Sequence, residues 1–415
     1  MARQLHVYLN DHVVGVLIQD DHGEVTFHYE DNWLASPQAL ALSQSLPLRM
    51  EPFSGRECRG FFGGVLPEGE NRETIARNLG ISAKNDVKML EQIGGECAGA
   101  VTFIPSGECL PTQGGRYRPL TDHELADILQ QLPRHPLLAG EEHVRLSLAG
   151  AQDKLAVHVA DAQISLPLDG APSTHILKPT IRHFEGIVVN EFLCMKLATA
   201  VGLPTPPVSI GSVEGIEYLL VERYDRTRTD GQPLRRLHQE DFCQALGIVS
   251  ENKYQNEGGP SIQQCFQLLR DASSVPVIDL NRLLDAVVYN FLVGNNDAHG
   301  KNFSLLYRVD DMQTWTTSLA PLYDLVCTAY YPDLSPRMAM KIGGEYEAER
   351  VFPRHFDRFA EEAGLNKPLV KRRIQSLAKS IQSKLPTITP QHPIGIAVAE
   401  IIHSRCDRTI EMCKK

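Results

Sequence analysis

Much that would place these 415 residues in another class is missing. No close cysteine pair such as C-x-x-C occurs. The nine cysteines (Cys58, Cys97, Cys109, Cys194, Cys243, Cys265, Cys327, Cys406, Cys413) are odd in number and scattered, which speaks against a disulfide frame or zinc site and fits reduced thiols. The opening Met1-Ala2-Arg3-Gln4-Leu5-His6-Val7 lacks the apolar core of a secretion signal, and no apolar run approaches a membrane span. A cytoplasmic chain with no membrane partner is expected. Positive charge is also short: a net charge of -10 and a pI near 5.8 argue against broad binding of nucleic-acid backbone by this chain alone. Operator DNA, if involved, is expected mainly through a partner. Internal repeats, low-complexity tracts and a G-x-S-x-G nucleophile elbow are likewise absent.

What is present reads as an α+β chain, long enough for two or three packed units. Residues 4 to 28 alternate like a short meander broken at Asn10-Asp11 and Asp20 to Gly23, helical patterns fill 60 to 95, and a strand follows at Ala100 to Ile104. Pro105 to Pro119 reads as a linker, and Thr121-x-x-Glu124 as a capping box opening a helix. Strands are expected at Lys154 to Val159, Gln163 to Pro167, His175 to Lys178 and Ile216 to Glu222, with a helix over Val188 to Ala200. Beyond the turn sequence Arg228-Thr229-Asp230-Gly231 helices are expected to dominate. One of them carries Leu280, Leu284, Val287, Val288, Phe291 and Leu292 behind Asp279 as N-cap and stops at Gly294. These signals predict an accessory β-containing module over 1–110, a small sheet-plus-helix lobe over 111–225, and a large helical lobe over 226–415.

The stretch Asn295-Asn296-Asp297-Ala298-His299-Gly300-Lys301-Asn302, with Asp324 downstream, has the layout of an ATP- and Mg2+-dependent phosphotransferase. Asp297 is placed to accept a proton from an attacking hydroxyl, while Asn302 and Asp324 offer oxygens to magnesium, and positioning with charge neutralisation dominates such chemistry. His299 and Lys301 flank these positions and either contact phosphate or hydrogen-bond the loop. Upstream, Ser147-Leu148-Ala149-Gly150-Ala151-Gln152-Asp153-Lys154 reads either as a hairpin turn or as a phosphate-cradling nest, although it matches neither G-x-G-x-x-G nor G-x-x-x-x-G-K-[ST]. Lys178 at a strand end and Glu191 in the following helix read either as a phosphate-reaching lysine with its ion-pair partner or as an ordinary surface lysine and a solvated helical glutamate. The strand end Glu222-Arg223-Tyr224 is where a hinge facing adenine would lie.

Taken in order, these segments resemble the HipA family of serine/threonine kinases, the toxins of HipA/HipB-type toxin–antitoxin pairs. The resemblance runs through Trp33 to Ser36, Phe61-Phe62-x-x-Val65-Leu66-Pro67, Gly99 to Thr102, Ser147 to Lys154, Thr174 to Lys178, Val221 to Arg226, Gln239 to Gln244 and Asp297 to Ser304. It implies a bilobal protein-kinase-like fold, Asp297 as catalytic base, and Asn302 with Asp324 on magnesium. It further implies Lys178 on the phosphates, Glu222 and Tyr224 in the adenine hinge, and Ser147 as an autophosphorylation site that shuts the kinase off. A helix-turn-helix antitoxin and an aminoacyl-tRNA synthetase substrate are the implied partners. Asn295-Asn296 stand where ordinary protein kinases carry His-Arg, and Tyr323-Asp324-Leu325 replaces D-F-G, so control through an Arg-anchored activation loop is not expected. A small-molecule kinase and a non-catalytic corepressor are the alternatives that the residues alone leave open.

Overall fold

The computed structural model describes residues 2–110, 115–181, 183–228, 234–310, 312 and 314–414. Its contacts group into two compact units, Met1–Pro179 with Gly211–Glu251 and Leu305–Thr316, and Thr180–Ile210 with Asn252–Ser304 and Thr317–Lys415.

Two antiparallel sheets dominate the first unit. The expected meander forms β1 (Arg3–Leu9), β2 (His12–Gln19) and β3 (Val25–Tyr29). With β4 (Phe53–Ser54) and β5 (Val101–Pro105) it makes a sheet of order β4-β3-β2-β1-β5. Alternation buries Leu5, Val7 and Leu9 on one face. Phe27 of β3 meets Phe62 of the helix Gly55–Gly64 with ring centroids 5.3 Å apart.

The second sheet contains β6 (Arg116–Pro119), β7 (Leu155–Ala160), β8 (Gln163–Leu168), β9 (His175–Pro179), β10 (Val208–Val213) and β11 (Ile216–Glu222), in the order β10-β11-β9-β7-β8-β6. The linker expected at Pro105 to Pro119 is corrected at its end. There β6 pairs with β8, because Tyr117 stacks on His158 with centroids 3.9 Å apart and its hydroxyl donates to Pro172 O. Residues 111–114 of that segment, and 229–231 of the expected turn, lie outside the described residues. The capping box is realised, with Thr121 Oγ1 accepting from Glu124 N and Thr121 N donating to Glu124 Oε2.

Helices make most of the second unit: Ile187–Ala200, Ile262–Ala272, Pro276–Val293, Pro353–Glu362, Lys367–Ile388 and Pro393–Lys414. Leu284, Val288 and Leu292 on one face of the central helix are buried, as are Ile374 and Ile381, Val398 and Ile402 of the two C-terminal helices that pack on it. Asp279 does not cap this helix. Val275 is the N-cap and Pro276 occupies the first turn, where its missing N–H costs nothing. Asp279, fully buried, accepts instead from Leu319 N, Ser273 Oγ and Arg282. The hairpin Arg337–Ile342 with Glu345–Glu347, and the strands Ser304–Val309 and Trp315–Leu319, interrupt a stretch expected to be mainly helical. No helix among the described residues is long and apolar enough to cross a membrane.

Candidate active site

Gly294 ends the central helix in the left-handed region at φ 75°, its N–H returning to Asn290 O. A Cβ there would meet Ala329 Cβ at 2.9 Å, so glycine is required both for the turn and for close approach of the following segment. The loop thus released carries Asp297. Its N–H donates to Asn295 Oδ1, its carbonyl accepts from His299 N at 2.8 Å and from Asn302 Nδ2 at 3.3 Å, and Tyr254 donates to its Oδ1 at 2.8 Å. His299 is buried and meets the Tyr254 ring edge-on at 5.4 Å. Lys301 is buried too, and its carbonyl accepts from the Tyr323 hydroxyl.

Amides and one hydroxyl join this loop to the Asp324 segment. Asn295 Nδ2 donates to Asn290 Oδ1 and to Asp324 O, Thr328 Oγ1 accepts from Asn296 N and donates to Gly294 O, and Ala329 N donates to Gly294 O. Asn190, fully buried in the helix Ile187–Ala200, holds Cys327 at both ends, Oδ1 accepting from its N–H and Nδ2 donating to its carbonyl. Asp324 itself sits at φ 57°, a conformation costing about 1–3 kcal/mol outside glycine, which this surrounding web sustains. The Asn302 amide nitrogen is engaged by Asp297 O, which turns the amide oxygen the other way. That oxygen and the Asp324 carboxylate are hard donors of the kind magnesium takes. Among the described residues no three His, Cys, Asp or Glu are grouped to hold a metal, so phosphate and water oxygens would complete such a shell.

In the first unit the loop from Ser147 is zipped onto the segment Val65 to Asn71. Ser147 is buried with Oγ donating to Val65 O at 3.0 Å and N donating to Glu96 O. Gly150, at φ 104°, bridges Pro67 and accepts from Glu68 N, Ala151 O accepts from Asn71 Nδ2, and Ala149 O accepts from Lys154 Nζ at 2.6 Å. Gln152, half-buried, lies within this loop. Lys178 is buried on β9 opposite Leu219, and Glu222 ends β11 exposed, opposite His175. Tyr224 is half-buried with its hydroxyl donating to Gln239 Oε1. Lys178 belongs to the first unit and Glu191, buried in the helix Ile187–Ala200, to the second.

A model of the HipA-like C-terminal domain matches residues 146–385, and one of the HipA N-terminal domain matches 5–104. This chain belongs to the HipA family. It is 48% identical over 383 residues to Y4mE of Sinorhizobium fredii, called a kinase by name only, covering 91% of this chain and 90% of that relative. It is 29% identical over 397 residues to the serine/threonine-protein kinase toxin HipA of Shewanella oneidensis, covering 92% and 89%. The Shewanella oneidensis HipA solved with HipB and its operator DNA superposes with a TM-score of 0.86 at 27% identity, over 99% of this chain and 98% of that one. The α+β fold expected is therefore the HipA fold.

Within this HipA chain the alternation past β11 turns Arg223 and Asp225 inward. Arg223 pairs bidentately with Asp225, and Glu96 takes Arg223, Arg226 and Arg236 together with Ser173 N and Oγ. Burial alone would raise Glu96, but the guanidiniums of Arg226, Arg236 and Arg223 overcome it and hold the carboxyl at about 2. Asp225 is likewise depressed by Arg223 and Arg226 against the effect of burial. Glu96 is not legible in the sequence, because a lone glutamate in the glycine-rich stretch Gly94 to Gly99 gives no signal. Tyr254, Asn190 and Thr328 also escaped notice, being remote in sequence from the loop they support.

Proposed function

We propose that this chain is the toxin of a toxin–antitoxin pair, a kinase that transfers the γ-phosphoryl of ATP to a serine or threonine of an aminoacyl-tRNA synthetase. The observation carrying this reading is the Asp297 loop, anchored at Gly294 and joined through Asn295 and Thr328 to the segment bearing Asp324. The acceptor hydroxyl gives its proton to the Asp297 carboxylate as its oxygen bonds to the γ-phosphorus. The bond from that phosphorus to the bridging oxygen breaks and ADP leaves. Asn302 and Asp324 would hold magnesium, which would supply charge neutralisation for the phosphates. Lys178 and Glu191 and the loop Ala149, Gly150, Ala151, Gln152 and Lys154 are assigned to phosphates, Glu222 and Tyr224 to adenine, and His299 and Lys301 to the transferred group. Phosphorylation of Ser147 would break its bond to Val65, add about two negative charges where none fits, and switch the enzyme off. A HipB-like helix-turn-helix antitoxin neutralises the kinase and brings it to operator DNA.

The test is intact mass and phosphosite mapping after incubation with ATP and magnesium, beside Asp297→Ala. One phosphate on Ser147, missing from the variant, is the expected result; no phosphate despite measurable ATP binding would overturn the assignment.

A further inference from the structure

Arg405 belongs to the helix Pro393–Lys414, and none of the phosphotransfer roles above includes it. Its guanidinium reaches the last turn of the central helix Pro276–Val293, 114 residues away in sequence. There it donates twice to one carbonyl, Phe291 O, from Nε at 3.2 Å and from Nη2 at 2.7 Å. The chain leaves that carbonyl short of a helical partner. Asn295 N, which a continued helix would send to it, returns to Asn290 O at 2.9 Å, and Gly294 N comes no nearer than 3.4 Å. The guanidinium also lies over the Phe291 ring, with Cζ 5.5 Å from its centroid. Its third arm, Nη1, donates to Glu349 Oε1 at 3.1 Å, and Arg408 on the next turn holds Glu349 through Oε2 and the backbone carbonyl. Glu349 stands just past the hairpin Arg337–Ile342 with Glu345–Glu347, and Ala339 N of that hairpin donates to Asn296 O at 2.7 Å. One frame therefore meets the chain both where the central helix ends and at the residue before Asp297.

We infer that Arg405 is a positioning residue for phosphoryl transfer: by capping Phe291 O it fixes where the central helix ends and so where the Asp297 loop begins. The inference rests on the reading of that loop as the catalytic one. The last carbonyls of a helix lack intrahelical donors and carry the negative end of its dipole, so a cation that donates to one of them is favoured twice over. A planar guanidinium sets direction as well as distance, which the ammonium of a lysine does not. Gly294 supplies the steric half of the arrangement, since a Cβ there would stand 3.3 Å from Arg405 Nε. Glu349 is 70% exposed at its side chain, so its pair with Arg405 adds little, and the bonds to Phe291 O carry the role. Rotation of the last helical turn would carry Asn295, Asn296 and Asp297 with it, and a misplacement of about 1 Å can cost on the order of 10²-fold in rate.

Two readouts on the full chain, in wild type, Arg405→Met, Arg405→Lys and Ile402→Val, separate this role from plain bracing of the last helix. Ile402 is buried on the same helix, so its variant reports what looser packing of that helix does by itself. The first readout uses no ATP: hydrogen exchange is followed by NMR at the amides of Asn295, Asn296 and Asp297, which donate to Asn290 O, Thr328 Oγ1 and Asn295 Oδ1. Exchange there is expected to quicken about tenfold in Arg405→Met, less in Arg405→Lys, and to keep the wild-type rate in Ile402→Val. Wild-type exchange in Arg405→Met, or an equal rise in Ile402→Val, would overturn the inference whether or not the protein is a kinase. If Arg405→Met does not fold, Arg405→Lys against Ile402→Val decides in the same way. The second readout is single-turnover transfer from radiolabelled ATP to the protein itself. The rate at saturating ATP is expected to fall about tenfold in Arg405→Met and to be partly restored in Arg405→Lys, with the ATP concentration for half-saturation unchanged. An unchanged rate, or an equal fall in Ile402→Val, also overturns the inference. Failure of wild type to transfer any phosphoryl would remove the kinase reading, while the exchange rates would still decide whether Arg405 sets the loop.

Discussion

Around Arg223 the first unit buries three guanidiniums against two carboxylates, whereas around Asn190 and Asn295 the second unit ties its chain together with neutral amides. Both arrangements bury polar groups, but at different cost. Desolvating ions is expensive and is offset only while every partner is in place, so the ionic cluster is strong when complete and fragile to the loss of one member. Amides desolvate more cheaply and add no field. The Asp297 loop and the Asp324 segment are tied to each other by the Asn295 amide and the Thr328 hydroxyl. The comparison teaches that the first unit gathers its buried charge into one cluster, whereas the second ties the Asp297 loop with amides and carries a buried pair, Asp279 with Arg282, apart from it.

The sharpest test of this division is Asp297→Asn. Phosphoryl transfer should fall by about 10²–10⁴-fold, the usual worth of a general base, while the urea unfolding midpoint stays at the wild-type value. A large loss of stability would mean that Asp297 is structural after all. Conversely, Glu96→Ala leaves Arg223, Arg226 and Arg236 short of a carboxylate and should destabilise the chain by about 3–5 kcal/mol in denaturant unfolding. Because Glu96 is depressed to about 2 in the folded chain, its contribution is complete above the ordinary carboxylate range and is lost as pH falls from there toward about 2. The gap between wild type and variant should therefore close in acid.

Asn190→Ala strands the Cys327 N–H in the interior. It should cost about 2–3 kcal/mol, with a fall in transfer rate as the Asp324 segment loosens; a stability loss with an unaltered rate would separate that segment from the chemistry. The smallest effect is expected at Glu240, a buried carboxyl contacting Ser43 Oγ, Gln44 N and the Tyr307 hydroxyl and bonded to no arginine among the described residues. Burial pushes it up to about 7, against the opposing effect of those donors. Its sign is opposite to that of Glu96: stability is fullest below the ordinary carboxylate range and declines as pH rises through about 7. Glu240→Gln should flatten that decline by on the order of 1 kcal/mol between pH 5 and pH 8 in thermal unfolding.

Local chemistry made several elements legible. The Thr121 capping box, the Gly294 stop, the alternation of β1 and the apolar runs of β7, β9 and β11 are short-range effects, and each appears where the residues predict it. Asp279 shows the limit, since a good N-cap residue three positions into a helix looks the same in sequence whether it caps the helix or receives Leu319 N from afar. The strands Ser304–Val309 and Arg337–Ile342 were missed for a related reason, their short apolar runs fitting either period.

At the candidate site the sequence by itself determined which groups are present in phosphotransferase order, Asp297, Asn302 and Asp324, a pattern that a plain polar loop between two helices shares and that gains weight only beside the upstream segments. Only the tertiary structure decided what supports them. Tyr254 meets Asp297 across 43 residues, Asn190 meets Cys327 across 137, and Glu96 meets Arg226 across 130. Such pairs depend on chain closure and packing, and leave no mark in the local pattern.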